Sequence, residues 1–157
     1  MDRHTEAAGQ EIQIRELHSR DWVDWRRLWK AYLKFYDTAL AEVVFNTTFA
    51  RLLSSDSPQI NGFIALKDGQ PIGLVHYLYH SSTWKIENVC YLQDLYVYET
   101  CRGKGVGKAL IEAVYKAAED AGSPSVYWMT QTQNRAARQV YDRIGSLTDF
   151  IKYVRPS

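Results

Sequence analysis

Arg102, Gly103, Lys104, Gly105, Val106, Gly107 and Lys108 bring three glycines and three cationic side chains into seven consecutive positions. Glycine lets a backbone approach an anion closely. The uncovered N–H groups and dipole of a helix that starts there favour a phosphate. The chemistry on offer is therefore phosphate binding, and individual residues narrow its kind. A P-loop needs glycine at 102, where the chain has Arg, and Ser or Thr at 109, where it has Ala, so the hydroxyl that would hold Mg²⁺ is missing. A dinucleotide loop needs a third glycine at 108, where the chain has Lys. That loop also lies past the middle of the chain, with too little sequence after it for a doubly wound fold. A plain glycine-rich turn carrying solvated lysines stays open as an alternative.

Further downstream, "NRAARQVYDRIG" at residues 134–145 offers a phenol, Tyr141, at helical spacing from Val140 and Ile144. It is either a proton donor or one more member of an apolar stripe. Asn134 opens the same segment, as a helix cap or as a polar contact. In the first third of the chain, Trp22, Trp25, Trp29, Tyr32 and Tyr36 recur at helical spacing. They read as core, with an acceptor groove or a dimer interface as other uses.

The elements that must position these residues follow from periodicity. Residues 11–19 alternate as a first strand, Ser19 can cap the aromatic helix, and a second helix runs from about Ala41 to Leu53, ended by "SSDSP". Residues 60–80 read as a hairpin turning at Asp68-Gly69. Residues 84–99 form a long strand, followed by the glycine loop and a helix that Gly122 and Pro124 stop. "SVYWMTQ" is a strand, residues 134–145 a short helix, and "LTDFIKYV" a last strand. The order β-α-α-β-β-β-α-β-α-β predicts an α/β (α+β) domain with a largely antiparallel sheet. Only the unit at 88–131 should be parallel, with a right-handed crossover.

The 157 residues match one ordinary domain, with residues 1–9 expected to be flexible. A formal net charge of +1 argues against a general nucleic-acid partner. Two cysteines are too few for a disulfide framework or a metal site, so no metal is expected. No apolar run approaches the ~20 residues of a membrane span, and the first ten residues lack an apolar signal core. The expectation is a cytoplasmic enzyme or binding domain.

The two motifs together resemble the GNAT superfamily of N-acetyltransferases. "RGKGVG" at 102–107 is similar to the family's [QR]-x-x-G-x-[GA] loop, and residues 134–145 to its N-x-x-(A/S)-x-x-x-Y-x-x-x-G segment. "YLQDLYVYETCRGKGVG" looks closest to diamine acetyltransferases and to relatives acting on histones, polyamines and amino acids. The resemblance implies a mixed, mostly antiparallel sheet of six or seven strands, about four helices, and two parallel strands splayed apart at a coenzyme A site. It implies acetyl-CoA as donor, its pyrophosphate held by the N–H groups of Arg102 through Lys108. The pantetheine arm would lie along Leu95, Tyr96 and Val97, near Asn134, in a gap between residues 93–98 and 126–131. Tyr141 takes the place of the family's general acid. A small-molecule primary amine is implied as acceptor, and a homodimer as the assembly.

One departure matters. Gln93 stands where diamine acetyltransferases carry a glutamate, and glutamine is no proton acceptor. Glu87, Asp94 or an ordered water is left as base, with Glu87 the named candidate and His76 and His80 further ones. Asp94 alternates to the wrong strand face unless a bulge re-aims it. Tyr36, Asp37, Trp84, Gln93 and Asp94 are the expected acceptor contacts. Two other functions fit the same loop: a protein lysine or histone acetyltransferase, and a non-catalytic acyl-CoA sensor. The sensor would have no use for Tyr141.

Overall fold

The computed structural model describes residues 11–56 and 60–157. The expectations for residues 1–9, and for Ser57 and Pro58 as the stop of the second helix, lie outside the described residues. Strand β1 (Ile12–Glu16) leads into a single 3-10 turn at Ser19–Asp21. Asp21 closes that turn: its carboxylate accepts from the His18 N–H at 2.7 Å and from the Arg15 guanidinium at 2.7 and 2.9 Å. Helix α1 (Trp22–Phe35) therefore starts two residues later than a Ser19 cap would have set it. Helix α2 (Glu42–Leu53) and strands β2 (Asn61–Lys67), β3 (Gln70–His80) and β4 (Val89–Val97) follow. The β2–β3 turn carries positive φ at both Asp68 (50°) and Gly69 (77°), as the Asp-Gly pair predicts. Helix α3 (Val106–Asp120), strand β5 (Val126–Tyr127) and helix α4 (Arg135–Ile144) complete the order.

The five strands among the described residues lie in the order β1-β2-β3-β4-β5. Every pairing is antiparallel except β4 with β5. Six or seven strands were expected. The difference lies at the C-terminal end: residues 147–154 alternate like a strand but pair with nothing described, and β5 keeps only two residues of the predicted seven. Helices α1 and α2 cover one sheet face, where Trp25, Leu28, Trp29, Leu33, Phe45 and Phe49 pack on Ile64, Leu74 and Tyr96. Helix α3 covers the other, with Val106, Leu110, Ile111 and Val114 against Val75, Tyr77 and Leu92. Among the described residues no helix is long and apolar enough to cross a membrane.

Candidate active site

The sheet opens where the sequence puts its motifs. β4 and β5 pair only through Cys90 with Val126 and Tyr91 with Tyr127, and beyond Tyr91 the two strands have no further partners in each other. Along β4, the Cys90 N–H bonds to Ser125 on the β5 side, whereas the Tyr98 N–H bonds to Ile72 of β3. Backbone groups alternate along a strand. Those of Tyr96 therefore face β3, and those of Leu95 and Val97 face the opening. The Val97 carbonyl already accepts from Arg102 Nε at 2.9 Å. The N–H groups of both residues and the Leu95 carbonyl are left to pair with an extended ligand.

The loop after β4 is shaped for an anion. Gly103 and Gly105 have φ of 75° and 85°, in the region that side-chain-bearing residues avoid. A Cβ at either position would meet nothing within 4 Å, so the space beside the turn is open there. The first bond closing α3 runs from the Ala109 N–H to the Gly105 carbonyl. Among the described residues, the N–H groups of 103–108 have no acceptor. Together with Lys104 and Lys108 they form the kind of cradle a pyrophosphate fits, so these residues suit coenzyme A. The Arg102 side chain does not join the cradle. It lies over the rings of Phe35 and Tyr96, 5.6 Å from each centroid.

Tyr141 reaches the opening from the α3 side. It packs edge-on against Trp128, with centroids 5.5 Å apart. Gly145 makes that contact possible, since a Cβ there would sit 2.8 Å from the Trp128 ring. Tyr36, at the end of α1, approaches from the opposite face. Burial first, then Tyr36, push the Tyr141 phenol up to about 12. Asn134 stands at the start of α4 without capping it. Its amide instead donates to Thr130 Oγ1 at 3.2 Å.

A β-bulge sets the rest of the site. His76 pairs with Asp94 and Tyr77 with Leu92, so Gln93 is the extra residue. The bulge restores Asp94 to the α1 face, which simple alternation from Leu92 would have denied it. There Asp94 is 3.0 Å from His76 Nδ1. Its charge, after burial, raises the phenols of Tyr32 and Tyr36, and it adds to the rise at Tyr91. The aromatic stripe thus divides. Trp25 and Trp29 are buried core, while Tyr32 and Tyr36 continue the same stack, with centroids 4.9 and 5.0 Å apart at successive steps, toward Asp94. Tyr91 was missed by sequence reasoning, and Tyr32 was named only within the aromatic stripe, read as core with an acceptor groove as another use. Tyr32 carried a signal, being one helical turn before Tyr36.

Other expected contacts lie elsewhere. Gln93 is exposed on the bulge, and Asp37 is exposed with φ of 53° just beyond α1. Trp84 and Glu87 are exposed in the β3–β4 loop, at the end of β4 away from the glycine loop. Glu87 is seven residues from Asp94, roughly 20 Å along an extended chain. His80 also sits at that end, bonded to the Tyr127 hydroxyl at 2.9 Å.

Comparison with known proteins agrees with this geometry. The acetyltransferase (GNAT) family model matches residues 13–145. A D-amino-acid N-acetyltransferase of Saccharomyces cerevisiae is 39% identical over 146 residues, covering 92% of this chain and 90% of that protein. A thialysine N-epsilon-acetyltransferase of Bos taurus is 33% identical over 75 residues, 48% of this chain and 44% of that protein. The structure of aminoglycoside N-acetyltransferase AAC(6')-Iy in complex with CoA shares the fold, with a TM-score of 0.82 at 21% identity, over 96% of this chain and 97% of that one. With the family match running through both the glycine loop and α4, the chain belongs to the acetyltransferase (GNAT) family, whose enzymes take their acetyl group from acetyl-CoA.

Proposed function

We propose that the chain is a single acetyltransferase domain that moves acetyl to the primary amine of a small molecule, an amino acid or a polyamine-like amine, by direct attack. The observation that carries this reading is the carboxylate of Asp94, turned by the Gln93 bulge into a pocket wall of tyrosines beside the opening in the sheet. An ammonium suits such a wall through charge and through cation–π contact. The relatives that act on D-amino acids and thialysine support a small acceptor.

Acetyl-CoA supplies an activated acetyl thioester, whose carbonyl carbon takes the amine while its sulfur leaves. The chain's own groups do the rest. Backbone N–H groups of Gly103, Lys104, Gly105, Val106, Gly107 and Lys108 hold the pyrophosphate, the Arg102 N–H being engaged with the Glu99 carbonyl at 3.4 Å, and Leu95 and Val97 align the pantetheine arm. The Leu95 N–H donates to the carbonyl oxygen as negative charge builds there. Asp94 and Tyr36 orient the amine, whose proton leaves to water. Tyr141 returns a proton to the departing thiolate. Its exposed place at the other end of β4 gives Glu87 no support as base. The test is acetyl transfer measured over D-amino acids, L-amino acids, thialysine, spermidine and lysine peptides. Turnover of a small amine is expected. Turnover of peptides alone would make this a protein acetyltransferase, and CoA binding without any turnover would make it a sensor.

We propose further that the enzyme works as a homodimer built by residues 147–154 of each copy. Leu147, Phe150, Ile151, Tyr153 and Val154 are 72–89% exposed, an unusual load of apolar surface on one short segment. Among the described residues the outer edge of β5 has no strand partner, and it lies beside a groove of about 450 Å³ lined by Val89, Tyr115, Val126, Tyr127 and Ile144. A strand from a second copy would cover both. The two aromatics of two copies would bury roughly 600–1,000 Å². With the three aliphatic residues added, that approaches the ~1,200–2,000 Å² of a stable interface. A cytoplasmic setting goes with this donor and with two unpaired cysteines, and cell fractionation tests it.

A further inference from the structure

His76 is buried on β3, and both of its ring nitrogens are engaged. Trp25 Nε1 lies 2.9 Å from His76 Nε2. An indole N–H can only donate, so Nε2 must present its lone pair. The proton of the neutral ring then sits on Nδ1, which faces Asp94 Oδ2 at 3.0 Å. A buried indole on α1 thereby selects the tautomer of a histidine on β3, which in turn donates to the bulge carboxylate on β4. Trp25 is itself fixed. It has no exposed surface and lies between the rings of Trp22, Trp29, Phe45 and Phe49.

We propose that His76 is a positioning residue for the acceptor. Held by Trp25, it fixes one oxygen of Asp94 and leaves the other turned to the incoming amine. The inference rests on the reading of Asp94 as the acceptor's carboxylate, and it names what keeps that carboxylate in place. Without the histidine donor, Asp94 would be free to turn toward Tyr32 or Tyr91, whose phenols it already influences. The acceptor would then bind less well, while the acetyl-CoA loop, on the next turn of chain beyond β4, would be untouched.

Two near-isosteres separate positioning from mere packing. In His76→Asn the amide nitrogen stands near the place of Nδ1 and can still donate to Asp94, but it leaves Trp25 unpaired. In His76→Gln the amide oxygen stands near the place of Nε2 and can still accept from Trp25, but it offers Asp94 nothing. With D-lysine and thialysine as acceptors, His76→Gln should raise the acceptor KM by about tenfold or more, the loss of one charge-assisted hydrogen bond. Its acetyl-CoA KM should stay unchanged. His76→Asn should restore the acceptor KM to near the parent value even though it melts at a lower temperature. A structural role predicts the reverse, with Gln benign and Asn impaired. That order, equal effects of the two variants, or no effect of either would overturn the proposal. Asp94→Asn separates the two levels: an unchanged acceptor KM there removes the underlying reading, whereas an impaired Asp94→Asn beside a normal His76→Gln removes only the role of His76. Should either histidine variant fail to fold, ring ¹⁵N shifts of the unaltered protein decide. A protonated Nδ1 and a bare Nε2 support the relay, and the opposite tautomer overturns it.

Discussion

Tyr141 keeps its proton across the physiological range because its surroundings push the phenol up to about 12. A thiol ionises at about 8.5, so the phenol is the weaker acid: it is fully protonated at neutral pH and serves the leaving sulfur by donating a hydrogen bond, and then a proton, as negative charge builds there. Tyr141→Phe should lower kcat by about 10²–10⁴-fold with little change in the acetyl-CoA KM. Steady-state kinetics check this, and an unchanged kcat would remove Tyr141 from the mechanism. The parent enzyme should lose no activity to Tyr141 ionisation until the pH nears 12, which a pH–kcat profile tests. Tyr141 was legible in the sequence because its place in a motif needs no long-range information. The face taken by Asp94 was not legible, because one inserted residue in a strand reverses every side chain after it, and strand pairing with β3 alone reveals which residue is extra.

At the scale of elements, the turn from β4 into α3 and the end of α4 are each fixed by one glycine, for different reasons. Gly105 needs its positive φ of 85°. Gly105→Val should cost about 1–3 kcal/mol of backbone strain and abolish CoA binding by blocking close approach of the backbone to the phosphates. Calorimetric titration with CoA checks the binding, and a thermal melt the strain; tight binding in the variant would mean that the loop is not the cradle. Gly145 has an ordinary extended φ of −144° but no room for a side chain against Trp128. Gly145→Ala should therefore shift Trp128 and, through it, Tyr141. We expect about 1–3 kcal/mol of lost stability from overpacking and a fall in kcat greater than any change in the acetyl-CoA KM. A normal kcat at reduced melting temperature would uncouple the Trp128 contact from catalysis. Helix and strand order could be read from periodicity, since each pattern is local. The end of the sheet could not. Residues 147–154 carry a strand's alternation, and alternation does not say which edge a strand will find.

For the whole molecule, buried phenols set an alkaline limit. Tyr79 and Tyr141 are each pushed up to about 12, and Tyr77 is raised as well, chiefly by burial. An unfolded tyrosine ionises near 10. The folded state thus binds these protons more tightly, and its advantage is complete below about pH 10 and lost as pH climbs toward 12. Melting temperature should fall steeply across that window, with phenolate absorbance appearing together with unfolding. Full phenolate absorbance, beyond the share of exposed tyrosines such as Tyr98 and Tyr153, while the fold stays intact would contradict the burial. Assembly is the second whole-molecule property. Light scattering after gel filtration should give twice the chain mass, and deletion of residues 147–157 should give a monomer. A parent monomer, or a dimer that survives the deletion, would exclude the proposed interface.

The sequence alone determined the family and the donor, and it singled out the tyrosine proposed as proton donor. Each depends on short-range spacing: glycines that let a loop approach phosphate, and a tyrosine seven residues after a helix-opening asparagine. Tertiary structure alone decided which sheet face Asp94 takes, and that a tryptophan and a histidine line up behind it. Those facts depend on a bulge between two strands and on a helix lying across them. Such contacts join residues 25, 76 and 94, whose separation along the chain carries no record of their meeting.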